Sequence, residues 1–289
     1  MTALSTTTTT ITLASSSSTV VLNTVDANGV KWLVLSFDGW GSPHPSIQVV
    51  QKPRQAGGWA GLSYATPRYV SVSVRVVAPT PAALTTALDA LYAAVDLADT
   101  TFTVAEAGVT RSLTVRRSDQ VLPHRLNNQI ADVTFQMVAI DPRKLGSTLT
   151  GSTNLPATSG GLTVPFTIPF TISSTVVAGQ VSFTNPGNET GPVVLRIDGP
   201  CTGPVITHTS SSTTNALVFS SSLTLGTGEF LLINMDKRTA LGNGQASRSG
   251  YITSRGWSGF DPGVNTWSFT ASGYNVASLL TVTATPAWK

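Results

Sequence analysis

The chain has 289 residues, with 17 Lys and Arg, 14 Asp and Glu, a net charge of +3, 41% apolar residues, 25 Gly, 17 Pro and one cysteine. So few charges beside so many apolar residues exclude intrinsic disorder and a coiled coil or long helical bundle, and a single thiol excludes an internal disulfide framework. Ser and Thr supply 75 residues, about a quarter of the chain, leaving a β-rich globular protein as the class that fits.

A length near 290 suggests two domains. Residues 1–145 hold 11 basic and 9 acidic groups, and residues 146–289 hold 6 and 5. Neither half has the dense basic face of a specific nucleic-acid binder. No basic stretch precedes an apolar one near Met1, so no signal peptide is predicted. No window is apolar for long enough to predict a membrane helix. A weakly charged surface suits a subunit that buries much of itself in an assembly, because monomers usually keep charge for solubility.

In chain order, residues 1–18 form a Ser/Thr tract, expected to be a flexible arm. Two short strands, Thr19 to Leu22 and Val30 to Phe37, flank a turn at Asp26-Ala-Asn-Gly29, where Asn28-Gly29 favours positive φ. Residues 38–66 are rich in Gly and Pro and read as a long loop with a short strand at Ile47–Gln51 and two exposed tryptophans, Trp40 and Trp59. Long loops in compact domains are usually functional or interfacial. Arg68 to Val77 alternates, placing Val70, Val72, Val74 and Val76 on one face. Thr80–Asp96 is the one helix: Thr80 caps it, Pro81 opens it, and Leu84, Leu88, Leu91 and Val95 form its stripe. Strands follow at Thr101–Ala105, Thr110–Arg116 and Ile130–Ile140. The break at residues 146–163 reads as a linker. Beyond it, short strands run at Val164–Ile172, Thr175–Thr184, Val193–Asp198, Pro204–Thr207, Ala216–Ser220, Glu229–Ile233, Thr266–Thr270 and Ala277–Thr285. Gly, Pro and Asn separate them, as in an antiparallel sandwich.

Catalytic and metal chemistry is sparse. His44, His124 and His208 are far apart in sequence and read as loop or strand-edge histidines; with Cys201 they lack the spacing of a zinc site. Gly226-Thr-Gly228 and Gly242-Asn-Gly244 lack the remaining glycines and lysine of a phosphate loop and read as turns. Glu189, Asp198, Glu229, Asp236 and Asp261 all sit beside turns, so no pair stands out for sugar hydrolysis. Cys201, in Gly199-Pro-Cys-Thr-Gly-Pro204, reads as an inert thiol in a turn. The one charge grouping is Arg111, Arg116, Arg117 and Arg125, in which 111 and 117 share strand parity and 116 does not. It reads as a solvated or subunit-contacting face, or as the lining of a channel. No catalytic, cofactor or metal residue is assigned.

Several segments together resemble the distal tail protein (Dit) family of long-tailed siphophages. In the first half these are the strand Arg68–Val77, the helix 80–96, and the closing strand Val133-Thr-Phe-Gln-Met-Val-Ala-Ile-Asp-Pro142. In the second half, Phe183-Thr-Asn-Pro-Gly-Asn188 followed by Pro192-Val-Val-Leu-Arg-Ile-Asp-Gly199 is similar to the family's opening strands. Glu229-Phe-Leu-Leu-Ile-Asn-Met-Asp-Lys-Arg238 is similar to a further strand and turn. Trp257-x-x-Phe260-Asp-Pro-Gly-Val-Asn265, then Trp267-x-Phe269, and the ending Leu280-Thr-Val-Thr-Ala-Thr-Pro-Ala-Trp288 complete the pattern. The chain departs from it at Asn234 and Met235, where the family often has Asp-Thr, and in the tract 1–18.

The resemblance implies a mainly β fold: a tail-tube-like β-sandwich or barrel with one α-helix over residues 19–145, and a galectin-like antiparallel sandwich over 164–289. It implies a non-enzymatic virion protein, made in the host cytoplasm and placed at the tail tip without a cofactor. There it would form a hexameric ring between the tail tube protein and the tip hub or baseplate, with receptor-binding proteins as further partners. The expected inter-subunit contacts are Trp40, Trp59, Arg111, Arg116 and Arg117. The alternative is a carbohydrate-binding adhesin using Trp257, Trp267 and Trp288 as stacking platforms. A glycan hydrolase acting through Glu229 ranks last.

Overall fold

The computed structural model describes residues 9–159, 175–177, 179–273, 275 and 277–289. The chain divides between Gly146 and Ser147 into two compact units. Among the described residues no helix is long and apolar enough to cross a membrane.

The first unit begins with strands β1 (Thr10–Ala14), β2 (Thr19–Leu22), β3 (Thr24–Val25) and β4 (Lys31–Asp38). Then come β5 (Pro45–Gln51), β6 (Gly58–Ala65) and β7 (Arg68–Val77), the helix α1 (Pro81–Ala94), β8 (Thr100–Glu106), β9 (Val109–Arg117), β10 (Leu122–Arg125), β11 (Ile130–Ala139) and β12 (Lys144–Leu145). One antiparallel sheet runs β2-β1-β8-β9-β11-β7-β4-β3, and β10 lies beside β11. Its first and last strands are separated in sequence by Asn23 alone, whose φ is 64°, so the sheet curls back toward its own start. Helix α1 packs on β2 and β7.

The pleat explains the core. Val70, Val72, Val74 and Val76 are all fully buried on one face of β7, opposite Val133, Phe135 and Met137 of β11. The helix starts where the sequence says: Thr80 Oγ1 accepts from Ala83 N at 3.2 Å, with Pro81 as its first residue, an arrangement that satisfies an otherwise orphaned N–H. Leu84, Leu88 and Leu91 seal the core.

Two expectations change here. Part of the Ser/Thr tract is strand, since Thr10–Ala14 pairs with β2 on one side and β8 on the other. Ile11 and Leu13 are its buried residues, and two inward apolar positions decide a strand that Thr tolerates on the other face. Residues 1–8 of the expected arm lie outside the described residues. The region 38–66 is also no open loop: β5 and β6 pair as a hairpin.

The second unit is built from β13 (Leu149–Asn154), β14 (Ala157–Ser159), β15 (Thr175–Val177), β16 (Gln180–Asn185), β17 (Val193–Asp198), β18 (Cys201–Thr209), β19 (Thr214–Phe219) and β20 (Thr224–Leu225). It continues through β21 (Phe230–Asn234), β22 (Thr239–Gly242), β23 (Ala246–Ser247), β24 (Ile252–Arg255), β25 (Gly263–Gly273), β26 (Leu279–Ala284) and β27 (Ala287–Trp288). One sheet runs β13-β26-β17-β21-β22-β23; the other runs β16-β25-β18-β19-β24, with β20 on β18. Leu195, Ile197, Leu231, Ile233 and Val282 of the first sheet share one core with Ile206, Leu217, Trp267 and Phe269 of the second. The expected linker 146–163 is partly structural: Leu149–Asn154 pairs along β26, burying Thr153 and leading into buried Leu155. The strand expected at Val164–Ile172 lies outside the described residues. Cys201, expected in a turn, opens β18 and is buried.

Candidate functional site

The most unusual surface is the β5–β6 hairpin. Every residue of both strands is exposed, and among the described residues neither outer edge pairs with another strand. The register sets Val50 opposite Trp59 and Val49 opposite Ala60. The register shifts by a bulge between Ile47 and Val49, and Ser46 lies opposite Tyr64, so by the pleat one face carries Val50, Trp59 and Tyr64, and the other carries Ile47, Val49 and Ala60. Leu62 is 78% exposed, Tyr64 65%, Val49 64% and Trp59 57%. Two-stranded hairpins are at best marginally stable alone in water, and bare strand edges invite pairing with another chain. Lys52 Nζ lies 6.0 Å from the Trp59 ring centre, which partly covers that face.

The root of this hairpin is held by two buried cations. Arg68, only 1% exposed, donates through Nε to Pro142 O at 2.9 Å. Its Nη1 donates to Gly39 O at 3.0 Å and Trp40 O at 3.1 Å, and also to Gly41 O. Lys144 Nζ donates to Trp40 O at 3.0 Å and lies 5.2 Å from the Trp40 ring centre. Gly39 is needed at this root: its φ is +85°, and a Cβ there would strike the carbonyl of Tyr69. Burial, then the neighbouring Arg68 and Arg111 charges, bring the Lys144 pKa down to about 8, with Glu106 opposing.

The five expected contact residues are not one patch. Trp40, expected to be exposed, is half-buried and packs on Phe37 and Phe102, with ring centres at 5.8 and 6.1 Å. A continuous aromatic cluster shields it. Trp40 and Arg111 do meet, lining a pocket of about 240 Å³ with Val104, Glu106, Ala107 and Val109. Arg116, near the other end of β9, donates to Asp99 Oδ1 at 2.6 Å, and its neighbour Arg117 lies beside Tyr92 and Leu97. Trp59 is separate from all of these, on the hairpin. Arg68 and Lys144 carried no sequence signal, because one is the first residue of an alternating strand and the other follows a turn.

In the second unit the sugar-platform reading loses Trp267. It is fully buried, stacked on His208 at 4.9 Å and packed by Phe260 at 5.8 Å, because it alternates onto the inner face of β25. Trp257 packs against the same core. His208 is likewise 1% exposed on an inner strand, where an edge or loop histidine was expected. Asp198 pairs with Arg196 at 2.7 Å, Glu229 accepts from Gly226 N at 2.7 Å, and Asp261 accepts from Thr190 and Ser210. These carboxylates serve turns and neighbouring strands. Among the described residues no three His, Cys, Asp or Glu side chains are grouped to hold a metal ion.

No protein-family model and no curated protein matches the chain. Among solved structures, the chain is similar to the SPP1 Dit protein, described as a paradigm of the hub adsorption apparatus in phages infecting Gram-positive bacteria. The TM-score is 0.60 at 15% identity, over 88% of this chain and 93% of that one. It is also similar to a chain of the phage P2 baseplate in its activated conformation with calcium, with a TM-score of 0.51 at 10% identity over 96% and 97% of the two chains. Both likenesses run through the two units, so the mainly β architecture is the fold of these tail and baseplate components.

Proposed function

We propose that the chain is a structural subunit of a phage tail, located at the tail tip, which forms a ring linking the tail tube to the tip hub or baseplate. The observation that carries this reading is the likeness to the SPP1 Dit fold over 88% of the chain, joined to a hairpin that none of the described residues covers. The reading is geometric and not catalytic. Heterologous contacts between identical subunits close a ring, and closure ends growth.

In this reading the ring is a hexamer. The hairpin residue Trp59, with the Trp40–Arg111 pocket and the Arg116 and Arg117 end of β9, supplies contacts between subunits. The tail tube protein and the hub protein meet its two faces. The second unit binds receptor-binding proteins, and residues 19–145 together with strand β1 form the ring. Light scattering and negative-stain imaging of the full chain test the proposal. The expected result is a particle with a central hole and six times the mass of the chain. Trp59→Ala is expected to reduce assembly without unfolding the subunit. A strictly monomeric protein at high concentration, with no rings in the images, would overturn it.

A further inference from the structure

A ring built from one kind of subunit needs two different patches that fit each other. The exposed hairpin is one. The first unit also has an open groove of about 760 Å³ between the helix and the strand ends, lined by Val20, Val21, Val25, Trp32, Ala87 and Ala90, among others. Val25 is 60% exposed there. Pockets of ~300–1,000 Å³ hold drug-sized ligands, so this groove has room for several large side chains. The hairpin of the same chain does not fill it, because every hairpin residue is exposed.

Charge is divided between these two surfaces. Residues 39–66 contain Lys52 and Arg54 and no Asp or Glu. Residues 78–100, which include α1, contain Asp89, Asp96 and Asp99 and no Lys or Arg. Three of the nearby carboxylates already have partners. Asp99 holds Arg116, Asp96 accepts from Leu97 N, and Asp26 at the groove rim accepts from Asn28 N, Val30 N and Trp32 Nε1. Asp89 is exposed. It lies three residues, about one helical turn, beyond Thr86, which lines the groove.

We infer that the β5–β6 hairpin of one subunit lays its Val50–Trp59–Tyr64 face into the groove between α1 and the strand ends of the next copy, with Lys52 and Arg54 at its tip facing Asp89. This contact rests on the ring reading and names the two surfaces that close it. Complementary charge sets orientation and encounter rate, and burial of the apolar face supplies the affinity. The bare edges of the hairpin are shielded in the same step.

The test uses the full chain at low salt. Arg54→Glu and Asp89→Lys are each expected to lower the assembled fraction several-fold with the thermal melt unchanged, and the double variant is expected to restore it. A second measurement places one cysteine at Val50 and one at Thr86, by Val50→Cys with Thr86→Cys. Oxidation should give a ladder of covalent multimers, and neither single variant should go beyond a dimer. Rings that persist in both charge variants, or no ladder from intact rings, would overturn the contact and leave the ring reading standing. Disruption by both single variants without rescue in the double would also overturn it. A wild-type chain that forms no ring at all would remove the ring reading and the contact together.

Discussion

His208 Nε2 and Asn265 Oδ1 are 2.9 Å apart in the buried interior of the second unit, and the rest of the Asn265 amide decides which atom carries the proton. Asn265 Nδ2 donates to Asp261 O at 2.7 Å and to Gly263 O at 2.8 Å, while Oδ1 accepts from Asp261 N at 3.1 Å. The oxygen must therefore face the histidine. Nε2 is the donor, and the ring is held as the neutral Nε2–H tautomer, with Nδ1 buried and without a hydrogen-bond partner among the described residues.

Burial pushes the His208 pKa below its ordinary value, outweighing the hydrogen bond to Asn265 and the Asp261 charge, which act the other way. The unfolded chain then binds this proton more readily than the folded one. His208 contributes stability that is fully present above the unfolded pKa of ~6.5 and is lost as the pH falls below it. Urea midpoints measured at pH 7.5 and pH 5 should show that loss for the wild type. His208→Phe, which keeps the stack on Trp267, should lessen it; an equal pH slope in both proteins would rule this account out.

Asn265→Ala leaves the His208 donor without its partner in the buried interior and the Asp261 N–H and carbonyl and the Gly263 carbonyl without theirs at a part-buried turn. Each buried polar group left unmatched costs ~1–3 kcal/mol, and partial relaxation sets the expected loss at about 3 kcal/mol. Chemical denaturation checks the size. A change under ~0.5 kcal/mol would mean that backbone geometry alone holds the turn.

Lys144 gives the first unit a pH response of its own. Its folded-state pKa, about 8, is below the unfolded value of ~10.4. The folded state releases this proton first, so stability rises with pH between about 8 and ~10.4, and that increment is absent below pH 8. Lys144→Met should flatten the rise in a urea series from pH 7 to pH 10. A rise that persists unchanged in the variant would assign it to another group.

Cys201 is buried, and burial raises its thiol pKa to about 11. The thiolate is the reactive species, so the native protein should resist a thiol reagent at pH 8 and react with one equivalent in urea. Rapid labelling of the folded chain would show that the start of β18 opens.

Much of the fold was legible in the sequence because it follows period-two burial. Val70 to Val76, the Thr80–Pro81 helix start and the Asp26–Gly29 turn all have local causes. The glycine at Gly187 was legible only as punctuation. Its actual constraint is distant in sequence, because a Cβ there would strike the carbonyl of Ala287 and approach Asn185 Oδ1. The hairpin at residues 45–65 was missed as such because its strands have no buried face and so show no alternation. The buried Arg68 was missed because it is matched by main-chain carbonyls, which have no sequence signature. Trp267 was offered as a platform and is core, since an aromatic reads the same on either face of a strand.

The position of Thr10–Ala14 between β2 and β8 has a consequence for how the protein is made. The β1–β2 hairpin can form as soon as it is synthesised, but the other edge of β1 pairs with Thr101 to Ala105. That edge stays open while roughly ninety further residues are added, at ~5–20 residues per second. The first unit is thus closed late by its earliest strand, a non-local pairing of the kind that slows folding. For those seconds the nascent chain exposes an unpaired threonine-rich edge, so slow translation or high temperature should favour misassembly at this seam.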